Sequence, residues 1–146
     1  MKYMDYILET LERIVNTPSP SGCTKEVMEI IRREAENFGF QTEFNRKGGL
    51  IITVPGQTEH VLGFSAHVDT LGAMVRSVRA NGTLALTQIG GMMMEAIEGS
   101  YCQILTRDGR RFTGTIQTKS RLSTCGTTVK SSSAQRRTWK SAWTKL

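Results

Sequence analysis

A chain of 146 residues can build one domain with its own core and is too short for a large two-domain enzyme. Its 38% hydrophobic content and mean hydropathy of -0.27 suit a soluble globular protein, and no run approaches the roughly 18 apolar residues of a membrane span. The formal charge of +6 sits in one place: residues 119–146 hold seven basic and no acidic side chains, which leaves 12 basic against 13 acidic in residues 1–118 and removes the case for a basic, nucleic-acid-binding body.

The first element is predicted from Asp5 to Asn16, where Ile7, Leu8, Leu11, Ile14 and Val15 recur at helical spacing between charges. Its acidic residues and amphipathic period fit a mature helix better than a signal peptide, so the expected location is the cytoplasm. Pro18 and Pro20 then impose a loop, because each lacks an amide hydrogen and biases its predecessor toward extended backbone. A second helix is predicted over about Thr24 to Phe38, with Val27, Met28, Ile31, Ala35 and Phe38 on one face and Gly39 as a left-handed cap. Three cysteines (Cys23, Cys102 and Cys125), widely spaced and without a CxxC pair, predict free thiols instead of a disulfide framework or a thiolate zinc site.

Two strands, QTEF and LIITVPG, are expected to form a hairpin through Arg46–Gly49. The run HVLGFSAHVD, residues 60–69, is apolar on both faces until His67 and reads as a central strand buried between helix layers. Helices followed by such strands indicate an α/β sandwich. From Leu71 to Thr118 the pattern changes to short β segments (AMVRSVRA, TLALTQIG, YCQILTRD, RFTGTIQT). They are separated by turn signals at Ala80-Asn81-Gly82, Gly90-Gly91 and Arg107–Arg110, of which Asn-Gly and Asp-Gly suit two-residue hairpin turns. The last 28 residues carry eleven serines and threonines and no core-like period, which predicts a disordered basic tail.

One arrangement carries catalytic potential: Ser65-Ala66-His67-Val68-Asp69-Thr70, at the carboxyl end of the predicted central strand, where ligands of α/β proteins sit. Residues two apart on a strand share a face, so His67 and Asp69 can act together. A neutral imidazole ligates zinc or cobalt, and a nearby carboxylate orients the site and tunes a metal-bound water. His-x-Asp is a short pattern that, taken alone, fits a hydrogen-bonded structural histidine better than a metal ligand.

The wider set PSPSG, NRKGGLIITVPG, GFSAHVDTLGAMV, LTQIGG, IEG and RDGRRFTGTIQT, in this order across residues 1 to about 118, resembles the opening third of metallopeptidase family forty-two, the glutamyl, deblocking and tetrahedral aminopeptidases. The resemblance implies an α/β fold. Residues 1–70 would be the N-terminal part of a zinc-aminopeptidase α/β/α sandwich, and residues 71–118 the start of an inserted small β-barrel-like dimerisation domain. His67 matches the family's first metal ligand and Asp69 its catalytic aspartate. Two divalent metal ions, zinc or cobalt, would activate a water for attack on the N-terminal bond of a peptide while a glutamate moves the proton. The implied partners are peptide substrates and further copies of the chain joined through the β domain, with neither nucleic acid nor membrane expected.

The family's remaining site residues have no counterpart here: there is no Glu-Glu or Asp-Asp pair, and no histidine follows His67. The only other histidine, His60, reads as an ordinary strand-end residue. The chain alone is therefore expected to be inactive. Codons synonymous for residues 120–145 can be chosen so that the neighbouring frame gives an acidic, β-rich peptide like the family's continuation, which reads residues 119–146 as out-of-frame translation. Two readings of other classes stand beside the enzyme fragment: a non-catalytic assembly module that pairs with full-length subunits, and a nucleic-acid-binding protein that uses the basic, tryptophan-bearing tail.

Overall fold

The structure, a computed structural model, describes residues 3–118, 127–131 and 143–145. The chain divides into two compact units, Met1–Ser19 with Cys23–Asp69, and Pro20–Gly22 with Thr70–Leu146.

In the first unit, α1 spans Met4–Asn16 and α2 Lys25–Asn37. Helix α1 ends where Thr17 turns extended ahead of Pro18, and the Thr17 hydroxyl donates to the Arg13 carbonyl at 2.7 Å, capping the last turn. Helix α2 ends as its glycine predicts. Gly39 takes φ +78° and donates to the Glu36 carbonyl at 2.8 Å, while Phe40 donates to the Ala35 carbonyl at 3.0 Å, the paired bonds of a Schellman cap. Val27 and Ala35 are the buried residues of α2, which packs on a hairpin of β1 (Gln41–Phe44) and β2 (Leu50–Thr53). Arg13 and Tyr6 of α1 both reach Glu34 of α2, at 2.7 and 3.3 Å, and Tyr6 stands edge-on to Phe38. The apolar side chains Ile7, Leu8, Leu11 and Val15 of α1 are exposed, so the amphipathic pattern builds the helix without covering its face.

The central strand expected over residues 60–69 does not form. The hairpin of β1 and β2 is a two-stranded sheet, and no residue of 60–69 belongs to a strand. Val61 is 95% exposed and Phe64 92%. Apolar faces make a segment suitable for a central strand, but a strand exists only where neighbouring backbones supply hydrogen bonds. Among the described residues none does so here.

The second unit is antiparallel throughout. Strands β3 (Gly72–Val78), β4 (Leu84–Ile89), β5 (Tyr101–Leu105), β6 (Arg111–Thr118), β7 (Thr127–Ser131) and β8 (Trp143–Lys145) pair in the order β3-β4-β7-β6-β5-β8, and β8 returns to β3, closing the ring. Alternate residues point inward: Ala73 and Val75, Leu84 and Leu86, Cys102 and Ile104, and Ile116 form the core, with Val78, Ile97 and Phe112 against it. A register shift between Val75 and Ser77 bends β3. Two pieces of the segment expected to be a disordered tail are thus strands, β7 and β8; the rest of that segment, 119–126, 132–142 and residue 146, lies outside the described residues.

The Asn-Gly and Asp-Gly hairpins depart from the expected two-residue turns, and share their form with the hairpin through Arg46–Gly49. In each of three hairpins a backbone pair closes around three residues: Asn45 with Gly49, Arg79 with Thr83, and Thr106 with Arg110. The third loop residue is always a glycine at positive φ (Gly48 at 81°, Gly82 at 83°, Gly109 at 81°), where a side chain would be strained. Local side chains select this form. Asn81 accepts from the Thr83 amide at 3.1 Å and the Thr83 hydroxyl at 2.8 Å, and Asp108 is bound by the Thr106 hydroxyl and by Arg110.

The Arg110 guanidinium, and after it the Thr106 hydroxyl, hold the exposed Asp108 carboxyl down to about 2. The folded value lies below the ordinary carboxylate range near ~3.9, so this contribution is fully present above about pH 4 and is lost as pH falls toward 2. The protection of the Gly109 and Arg110 amides, with the intrinsic pH dependence of exchange divided out, is expected to fall over that window in the native chain and to stay constant in Asp108→Asn; equal loss of protection in both would refute the assignment. Replacing Phe64 with lysine is expected to lower the concentration-dependent association of the chain seen by light scattering, because a charge interrupts an exposed apolar stretch. Unchanged scattering would show that association arises elsewhere.

Candidate functional site

Residues 60–69 form an extended, non-helical stretch that ends the first unit. Near its end the chain brings His67 and Asp69 together without the help of a sheet. The His67 Nδ1 lies 3.2 Å from the Asp69 carboxylate Oδ1 and 3.2 Å from the Asp69 carbonyl oxygen. A neutral ring donating from Nδ1 leaves its Nε2 lone pair on the opposite edge, free to accept a proton or a metal ion. The His67 side chain is 86% exposed and that of Asp69 42%, so water reaches both groups.

This is the geometry of a carboxylate-oriented histidine. It is also all that the described residues offer: no group of three or more His, Cys, Asp or Glu side chains is placed to hold a metal ion among them. His60, at the other end of the stretch, is exposed. The thiols do not add ligands. Burial, reinforced by Glu26, raises the Cys23 thiol, and burial pushes Cys102 up to about 11 while its sulfur lies 3.4 Å from the Gly114 carbonyl. Both therefore stay protonated near neutrality, when a metal would need the thiolate. The cysteines described, Cys23 and Cys102, are free; Cys125 lies outside the described residues.

One neighbour of the pair was not singled out by the sequence. Ser19 is 1% exposed, and its hydroxyl donates to the Val68 carbonyl, between His67 and Asp69, at 2.9 Å. Next to it, Pro20 pairs as an isolated parallel bridge with Thr70. The available sequence signal was the two prolines that flank Ser19; the contact itself spans 49 positions and has no local signature.

Comparison with known proteins gives the class first. The fold matches part of the TET aminopeptidases: that of a marine-sediment Thaumarchaeota archaeon superposes with a TM-score of 0.79 at 18% identity over 90% of this chain and 40% of that one. The TET1 peptidase of Pyrococcus horikoshii superposes at 0.73 and 21% identity, over 92% of this chain and 45% of that one. In sequence, the pattern of the M42 glutamyl aminopeptidases matches residues 48–144. The Bacillus subtilis protein YhfE, described as an aminopeptidase, is 46% identical over 110 residues, 75% of this chain and 32% of that protein. The glutamyl aminopeptidase of Lactococcus lactis is 25% identical over 107 residues, 72% of this chain and 30% of that enzyme. The chain belongs to the M42 glutamyl aminopeptidase family. It spans about a third of the length of the curated relatives it matches. No helix among the described residues is long and apolar enough to cross a membrane.

Proposed function

We propose that this chain is the opening part of a metal-dependent aminopeptidase acting on the N-terminus of peptides, and that by itself it is catalytically incomplete. The observation that carries the reading is the His67–Asp69 contact in a chain of this family. His67 would supply one metal ligand through Nε2. Asp69 would hold the ring proton on Nδ1 and keep the imidazole correctly turned. Such a metal, zinc or cobalt, would supply an activated water and polarise the scissile carbonyl.

The donor set present does not fit that group. Zinc in a catalytic site takes three protein ligands besides water, and a two-metal centre needs more. One exposed imidazole with its orienting carboxylate cannot hold two ions against solvent. We therefore derive no hydrolytic step for this chain. What its residues do is bounded: they present one oriented lone pair at an exposed position. The cytoplasm is the compartment we propose, in keeping with free Cys23 and Cys102.

Assembly is the second part of the proposal. The Pyrococcus horikoshii TET1 peptidase is described as forming a tetrahedron or a large octahedral shell. In an intact protein of this type the β unit that begins in residues 71–118 would serve contacts between copies. A non-catalytic role in pairing with full-length subunits uses the same surface and is supported by the same incompleteness of the donor set.

After incubation with zinc or cobalt and dialysis, the purified chain is expected to retain less than one equivalent of metal and to release no product from aminoacyl p-nitroanilides. Stoichiometric retention, or turnover abolished by His67→Ala, would overturn the incomplete-site reading. For residues 119–146 we propose translation out of frame, supported by seven basic and no acidic side chains beside a nearly neutral body. The nucleotide sequence over codons 115–146 and onward decides this. An open neighbouring frame continuing with a second histidine, a Glu-Glu pair and further aspartates is expected. If the printed frame alone is open, β7 and β8 are native elements and the proposal fails.

A further inference from the structure

We infer that Ser19 is a positioning residue for the His67–Asp69 pair, an inference that rests on reading the pair as one working unit. Val68 is the single residue between the two, and the direction of its carbonyl sets how the His67 and Asp69 side chains diverge. In a sheet, ladder hydrogen bonds would fix that direction. Residues 60–69 have no ladder, because none of them belongs to a strand. The Ser19 hydroxyl takes over the task by donating to the Val68 carbonyl at 2.9 Å.

The donor is itself held rigidly. Thr17, Pro18, Ser19 and Pro20 are all buried, and the two proline rings fix the backbone on both sides of the serine. On the N-terminal side, the Thr17 hydroxyl anchors the loop to the end of α1 through the Arg13 carbonyl at 2.7 Å. A hydroxyl on a stiff, buried rung loses little freedom on binding, so the bond is directional and persistent. Glycine or alanine at this position would keep the loop but leave the Val68 carbonyl without this donor.

The test uses the full chain, with no metal, at a pH where the imidazole is neutral. Two readouts are followed by NMR: the 15N shifts of the His67 ring nitrogens, which report the tautomer imposed by Asp69, and backbone order parameters for residues 67–69. In Ser19→Ala the difference between the ring nitrogen shifts is expected to fall toward that of free imidazole and the order parameters to drop, with α2 unchanged. Ser19→Thr, which keeps the hydroxyl, is expected to restore both. A purely structural serine would instead lower the melting temperature with the ring shifts unmoved, and that result overturns the inference. Should Ser19→Ala fail to fold, the wild-type chain decides. A slowly exchanging Ser19 hydroxyl proton with a cross-peak to Val68 supports the bond, and a freely exchanging one refutes it. Failure of His67 to bind zinc or cobalt would count against the metal-ligand reading and leave the ring readout standing, so the two can fail separately.

Discussion

Every strand in this protein is decided by whether a neighbouring backbone is there to pair with it. An extended chain places a donor and an acceptor on both edges, and the free energy of pairing is gained only when those groups exchange water for each other. In the second unit six strands solve this by closing a ring, so that each has two neighbours, with β8 pairing along Gly72–Met74 of β3 and β7 along Leu84 and Ala85 of β4. Closure in turn gives Ala73, Leu84, Ile104 and Ile116 a common inside, and all four are fully buried there. The first unit has no such closure. Its hairpin has two strands only, and the apolar run 61–64 remains outside any sheet with Val61, Leu62 and Phe64 exposed.

The same constraint explains why the chemically suggestive residues are together yet insufficient. His67 and Asp69 need only one peptide between them to meet, and a serine hydroxyl from a proline-fixed loop can steady that peptide. A metal centre needs several donors converging from different strands and loops, and convergence requires a sheet that positions them. Proximity of two side chains is a local property, whereas a complete coordination shell belongs to the fold. A chain spanning about a third of its relatives' length can carry the first without the second.

What could be read from the sequence follows the range of the forces involved. The cap at Gly39, the short β segments of β3 to β6 and the turns at Asn81-Gly82 and Asp108-Gly109 depend on residues within four or five places of one another, and all are visible in composition and spacing. Turn length differs from the expectation because the backbone preference of Asn-Gly and Asp-Gly for two-residue turns is outweighed by side-chain bonds. The Oδ1 atom of Asn81 binds Thr83, and Asp108 is bound by Thr106 and Arg110, and these side chains favour the three-residue loop. The strand over 60–69 was misjudged for a deeper reason. Hydrophobicity on both faces says what a segment could be buried in and nothing about whether its neighbours are present. The role of Ser19 was hidden because its partner lies 49 positions away. Strands β7 and β8 were passed over because Thr127–Ser131 and Trp143–Lys145 are short, polar and without alternation, and such strands are recruited by the edges they pair with.

These differences set how far each unit can stand alone. A ring with an interior core and paired edges contains most of the interactions that stabilise it, so its folding needs no partner surface. The helical unit is stabilised by Val27 and Ala35 against a small hairpin and by ion pairs such as Arg13–Glu34 and Arg32–Glu29, which solvent screening weakens. That is a thin core for a unit that leaves the apolar face of α1 and the 61–64 stretch in water. The hydrophobic cost of that exposure, roughly 25 cal/mol for each Å² that could be covered, favours any arrangement that covers it. The stretch bearing His67 therefore lies in the less self-sufficient part of the molecule, and the buried Ser19 hydroxyl ties its Val68 carbonyl to the proline-flanked loop.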